Sequence, residues 1–263
     1  MTHRIWSLAL AASLAAPAEA MSQTPTPPPA PVPAPAQAPV PPPQPPKPPL
    51  TKTQIDLGFV STSGNSSVRT LNVGEQLSVM PAPWKFTQVF SIVNGYTSGV
   101  ETVNTLTAGL RADYAVGPRF RLYGLGNFTR NRFAGIARRF EEALGLAYGA
   151  LTGPVSILDV EAGAGRNQQI GPMGGVQQFW VGRLALHYRL NFTSRAYFDQ
   201  KVEDLADMQN PKNMLVNTES AVVAPISNNV GLKLGYIVHF ANQPQPGFKK
   251  ADTILSAGLQ LLF

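Results

Sequence analysis

Beyond residue 50 the chain alternates apolar and polar positions. In Trp180–Leu190, the residues Trp180, Leu184, Leu186, Tyr188 and Leu190 share one parity, and Arg183, His187 and Arg189 share the other. In Val230–Phe240, Leu232, Leu234, Tyr236, Val238 and Phe240 oppose Lys233 and His239. Leu106, Ala108, Leu110, Ala112 and Tyr114 oppose Arg111 and Asp113, while Leu158, Val160, Ala162 and Ala164 oppose Asp159 and Glu161. A period of two marks a β-strand with two unlike faces. The pattern predicts twelve strands and no helix: Gln54–Val60, Thr70–Val79, Trp84–Gly95, Thr102–Tyr114, Phe120–Arg130, Arg139–Leu151, Ser156–Gly165, Phe179–Leu190, Ser194–Val202, Leu215–Ala224, Val230–Ala241 and Thr253–Phe263. Most are longer than the about 5–6 residues usual in soluble sheets. They approach the about 9–11 residues that a tilted strand needs to cross a bilayer.

The connections sharpen this reading. After the second, fourth, sixth, eighth and tenth strands come "PAP", "VGPR", "TGPV", "NFT" and "PISNN". They are short and rich in Pro, Gly and Asn, as tight turns require. After the odd-numbered strands the connections are mostly longer and more polar, such as "RNQQIGPMGGVQQ" and "EDLADMQNPKNM". Long loops on one rim and short turns on the other is the outer-membrane arrangement. An even strand count places both termini on the short-turn, periplasmic rim.

A soluble β-sandwich also alternates, with its apolar face inward. Two features favour the inverse. Aromatics fall near strand ends (Trp84, Tyr96, Tyr114, Tyr148, Trp180 and Phe263), as membrane-interface girdles do. Lipid also tolerates no open sheet edge, so the sheet must close. The expected fold class is all-β: a single antiparallel transmembrane β-barrel of about twelve strands, with both termini periplasmic. Glu75 falls on the apolar parity with Leu71, Val73 and Leu77. That implies either a bulge that shifts the register or a place near a rim.

Composition narrows the function. Charged residues make up 14% of the chain, against about a quarter in an average protein, and the mean hydropathy of −0.03 is too polar for a bundle of membrane helices. There is no Cys, which excludes disulfides, thiolate metal sites, Cys nucleophiles and a lipid anchor on an N-terminal Cys. The net charge of +6 is spread along the strands, so nucleic acid is not an expected partner. "MTHRIWSLALAASLAAPAEA" has a basic start, an apolar core and small residues around Glu19. It reads as a secretory signal peptide, residues 1–20, cleaved after Ala20. Residues 21–50 form a proline-rich tether, extended as polyproline II because proline lacks a donor and restricts φ. The barrel occupies 51–263, and the tether would hang in the periplasm, free to meet a periplasmic or cell-wall partner.

The strand "QIDLGFVSTSGNSS", running into Thr62-Ser63-Gly64-Asn65-Ser66, resembles the opening of the family called domain of unknown function 481. "GLRADY", "RFAGIARRFEEALGLAYGAL" and the terminal strand are similar as well. Ser66 stands where that family's pattern would have Thr, and the proline-rich arm lies outside it. The resemblance covers roughly residues 53–263. It implies a salt-induced outer-membrane barrel of a Gram-negative bacterium. It supplies no activity and no catalytic residue.

The residues themselves point to a polar lumen rather than to a reaction. No metal-binding motif or GxSxG is present, and two His outside the signal cannot complete a three-ligand zinc site unaided. No cofactor is expected. The lumen-facing charged candidates are Arg111, Asp113, Asp159, Glu161, Arg183, His187, Arg189, Arg195, Asp199, Lys201, Glu219, Lys233 and His239, joined by Asp56, Arg121, Arg139 and Glu141. Segregated, such charges line a narrow pore for small solutes or ions. Paired, they fill the lumen of a structural or scaffolding barrel. A third reading is a lipid-modifying hydrolase that uses His187. Tyr236, Leu259, Leu261 and Phe263 form the expected assembly signal, since an alternating strand ending on an aromatic suits recognition by the barrel-assembly machinery. Outer-membrane lipid and periplasmic chaperones complete the expected partners.

Overall fold

The computed structural model describes residues 50–62 and 68–263. The signal peptide, nearly all of the tether, and Ser63 to Ser66 of the Ser-Gly-Asn loop therefore lie outside the described residues. The rest is twelve strands: β1 (Thr51–Thr62), β2 (Val68–Val79), β3 (Trp84–Thr97), β4 (Val100–Ala115), β5 (Phe120–Asn131), β6 (Ile136–Thr152), β7 (Ser156–Ile170), β8 (Val176–Asn191), β9 (Tyr197–Asp207), β10 (Met214–Pro225), β11 (Val230–Ala241) and β12 (Ala251–Leu262). Each pairs antiparallel with its chain neighbours, and β1 pairs with β12 to close the barrel. Closure leaves no strand edge unpaired, as a spanning sheet requires.

The outer wall carries the apolar parity. Leu110, Leu144, Leu184 and Leu255 are 61–73% exposed, far above what a soluble core allows. An apolar surface of this extent is stable only against lipid or a partner. Aromatics border it near the strand ends: Trp84 packs edge-on against Tyr114 at 4.9 Å, and Phe120 against Tyr148 at 4.9 Å. The inner wall carries the charged parity, with Asp113, Glu161, Arg183 and Asp199 all buried.

The seam between β1 and β12 is the shortest pairing, running from Gln54–Leu262 to Gly58–Gly258. A Cβ added at Gly258 would collide with the Leu57 carbonyl oxygen and lie 2.6 Å from the Gly58 Cα. The strands close because both residues at that crossing lack side chains.

Three expectations change. Loop length alternates less than the sequence implies, because the strands extend into the segments expected as long loops. One rim has connections at 80–83, 116–119, 153–155, 192–196 and 226–229. On the other, β3 turns into β4 through Ser98 and Gly99 alone, at φ 51° and 81°, the backbone that two-residue hairpins favour. Only the β11–β12 loop, 242–250, is markedly long. Second, β9 begins at Tyr197 and runs to Asp207, so Arg195 lies in the turn before it rather than on the lumen wall. The Thr193 hydroxyl accepts from the backbone N–H groups of Arg195 and Ala196, which holds these residues in a turn. Third, Glu75 sits neither at a bulge nor at a rim. The β2–β3 register is unbroken from Val68–Thr97 to Val79–Phe86. Glu75 faces outward from the middle of β2, and its carboxylate accepts a 3.5 Å hydrogen bond from Gln88.

Candidate functional site in the barrel lumen

Strand alternation delivers ionisable groups to the lumen at every second residue, and neighbouring strands set them level. Two networks result. The first joins β4, β5, β7, β8 and β9. Asp159 holds Arg121 at 2.8 Å, and Arg121 lies 3.8 Å from Asp113. Asp113 holds Arg111 at 2.7 Å, and Arg111 reaches Glu161 at 2.8 Å. Glu161 also takes Arg183 at 2.8 Å, and Arg183 binds Glu203 at 2.7 Å. The chain of contacts ends where Asn217 donates to Glu203 at 3.0 Å and meets His239 at 2.9 Å.

Several of these contacts skip strands. Arg111 on β4 reaches Glu161 on β7, and Arg121 on β5 reaches Asp159 on β7. They run as chords across the interior rather than along its wall. Small residues make this possible. Gly145 and Gly163 pair directly, and Cβ atoms added there would lie 2.6 Å and 2.5 Å from the Tyr123 hydroxyl. The Tyr123 hydroxyl therefore sits directly against these two glycines. The guanidinium groups of Arg111 and Arg183 stand 4.5 Å and 5.2 Å from its centroid, and Arg183 donates to its hydroxyl at 2.9 Å. Cation–π contacts of this kind strengthen when shielded from water.

The second network joins β1 and β8 to β12. Asp56 accepts from Lys233 at 2.6 Å and from Gln260 at 3.1 Å. Lys233 also lies 3.7 Å from Glu219, which takes Lys201 at 3.0 Å. Asp199 accepts from Arg189 at 2.8 Å and meets the His187 ring at 2.9 Å. Tyr197, under the Arg189 guanidinium at 4.2 Å, donates to Gln260 at 2.6 Å and so spans from β9 to β12.

Of the expected lumen charges, only Arg195 is displaced, and it pairs with Asn228 at the turn rim. The other candidates lie on the inner parity and, except for Arg139 and Glu141, are joined by these contacts. Sequence reasoning missed Glu203, Tyr123, Asn217 and Gln260. Glu203 could have been found by carrying the Asp199–Lys201 parity two residues further. Tyr123 could not, because its role depends on glycines of two other strands. Above the first network, Val181, Leu205 and Leu215 form a small apolar cluster inside the barrel, with Phe179 packed against it.

The opposite wall, centred on β2 and β3, differs. Its inner parity carries Asn72, Gln76, Thr87 and Ser91, neutral and only partly buried, with Lys85 at one end of β3 and the ion-paired Asp56 and Arg111 on the flanking β1 and β4. The lumen thus has one wall knitted by charge and one narrower wall lined mainly by hydroxyls and amides.

The expected terminal signal is placed as follows. Tyr236, Leu259 and Phe263 face outward and are exposed, and Leu261 shares their parity. The Phe263 backbone exchanges hydrogen bonds with Thr53 at 2.9 Å and 3.0 Å. No cluster of three or more His, Cys, Asp or Glu that could hold a metal is present among the described residues. The His187 ring meets Asp199, and among the described residues no Ser or Thr hydroxyl hydrogen-bonds to it.

A family described as "Protein of unknown function, DUF481" matches residues 55–263. No curated protein matches the chain. Among solved structures, it is similar to the translocator domain of the autotransporter NalP from Neisseria meningitidis, at 15% identity over 81% of this chain and 86% of that one, with a TM-score of 0.43. It is also similar to the NanC porin, at 10% identity over 80% and 97% of the two chains, TM-score 0.45. An outer membrane channel from Pseudomonas putida F1 shares 11% identity over 81% and 94%, TM-score 0.48.

Proposed function

This chain belongs to the DUF481 family, and we propose that it serves as a narrow outer-membrane pore for small solutes or ions, without catalytic activity. The lumen's two-sided lining carries this reading. Chords of ion pairs occupy the side of β4 to β9, so the free cross-section is small. The wall of β2 and β3 stays partly exposed and presents hydroxyls and amides, which can replace part of a solute's hydration. His187, committed to Asp199 beside Arg189, has among the described residues no nucleophile hydrogen-bonded to it.

The test is single-channel recording of the detergent-purified protein in planar bilayers. A small, stable conductance is expected, with ion selectivity shifted toward cations in Arg183→Glu and Arg189→Glu. Complete absence of conductance in correctly folded protein sinks the pore.

A second reading has its own support. The buried cluster of Val181, Leu205 and Leu215, together with the ion-pair chords, also suits a filled, structural barrel whose proline-rich segment engages a periplasmic or cell-wall partner. That reading expects no conductance and a cellular defect on deleting residues 25–49. In either case the proposal includes export through the N-terminal signal to the outer membrane, passage by periplasmic chaperones, and recognition of the terminal strand by the barrel-assembly machinery.

A further inference from the structure

The β11–β12 loop closes over the mouth of the barrel. It starts on β11, yet its Phe248 lies against Gly135 in the β5–β6 connection, on the diametrically opposite side of the ring. A Cβ at Gly135 would be 2.7 Å from the Phe248 ring, and one at Gly171 would be 3.2 Å from Gln245 of the same loop. Asn210 donates to Gln243 at 3.1 Å, and Asn242 donates to the Lys212 carbonyl at 2.9 Å, so the β9–β10 loop holds it from the side.

Beneath this roof is a cavity of about 40 Å³. That is room for about three waters, or for one carboxylate or phosphate group. Three cations line it, Arg139, Lys249 and Lys250, against one carboxylate, Asp252. The balance differs from the rest of the lumen. Arg111, Arg121, Arg183 and Arg189 are each ion-paired with a carboxylate. Arg139 instead donates to the neutral Gln169 side chain at 2.9 Å, and Lys250 donates to Asn242 at 3.1 Å. Among the described residues none of the three cations forms an ion pair. Glu141 and Glu203 act on Arg139 from beyond ion-pair distance, and a guanidinium with no carboxylate in contact at a cavity, with amide donors around it, is a fork suited to an oxyanion.

We propose that this roofed vestibule binds small anionic solutes through a carboxylate or phosphate group, held by Arg139 from the wall and by Lys249 and Lys250 from the lid. The proposal deepens the pore reading by naming a solute class, but the site does not need conduction in order to bind.

Isothermal titration of the full, detergent-folded protein with inorganic phosphate and with succinate tests it directly. Saturable binding of either is expected, and which one binds identifies the preferred group. Arg139→Gln should weaken binding at least tenfold. Lys249→Gln with Lys250→Gln should also weaken it and, lying on an exposed loop, leaves the barrel intact if the wall variant fails to fold. Arg195→Gln, at the turn rim and off the lumen wall, should bind as the parent does. No saturable binding of either anion, or binding unchanged in the lid double variant, overturns the site. Conductance without anion binding would remove the site and keep the pore. Binding without conductance would do the reverse.

Discussion

Arg183 shows how much one side chain does inside the lumen. It is 6% exposed, and it neutralises Glu161 and Glu203 while donating to Tyr123. Truncation would leave Glu203 without its cation and Glu161 held by Arg111 alone, and breaking a buried pair from one side costs about 3–5 kcal/mol. Arg183→Ala should therefore lower the urea midpoint of the refolded barrel far more than Arg183→Lys, which keeps the charge and loses only the fork. Glu75 is the opposite case. It stands on the apolar outer wall with one long hydrogen bond to Gln88. An acidic group on a lipid face costs less than a basic one, whose penalty at mid-depth is about 2–4 kcal/mol. Glu75→Leu should raise stability in lipid vesicles by about 1–2 kcal/mol, measured by equilibrium unfolding. A loss of stability would mean that the carboxyl has a partner in the membrane.

At the scale of elements, the seam between β1 and β12 is where closure is most exposed to change. It is the shortest pairing, and it passes through the Gly58–Gly258 crossing, where a side chain on β12 meets the β1 backbone. Gly258→Val should leave most unfolded protein unable to close. Loss of the heat-dependent mobility shift of folded barrels in electrophoresis would report this, and a normal shift would show that the seam yields. The strand count and every strand's approximate place were legible in the alternation, because each face meets one kind of environment along its whole length. Strand ends were not. Glu203 to Asp207 read as loop but extend β9, since pairing with β8 and β10 supplies what local polarity withholds. Ser194 to Ala196 read as strand but turn, because the Thr193 hydroxyl accepts from the Arg195 and Ala196 amides.

At the scale of the whole molecule, Phe263 stands at the seam that closes the ring. Phe263 is 69% exposed on the outer face, and its backbone pairs with Thr53 on β1. Phe263→Asp should cut the yield of folded protein in the outer membrane while export to the periplasm continues, scored by fractionation and electrophoretic mobility. Normal yield would mean that the terminal aromatic is not read during assembly. The sequence by itself determined the architecture. A two-residue period with one greasy face throughout, turns at regular spacing and no Cys admit little besides a closed barrel in lipid. Within the strand interiors it also determined which charges point inward, since parity is a local property of the strand, although at the ends of β9 it misplaced Arg195 and missed Glu203. Only the tertiary structure decided what those charges do. Whether Arg111 meets Glu161 depends on a β4-to-β7 chord over Tyr123 and two glycines, and Arg139 contacts Gln169 rather than a carboxylate because β7 sets Gln169 level with it. Alternation specifies faces, whereas register and closure across twelve strands specify partners, and no single strand contains that information.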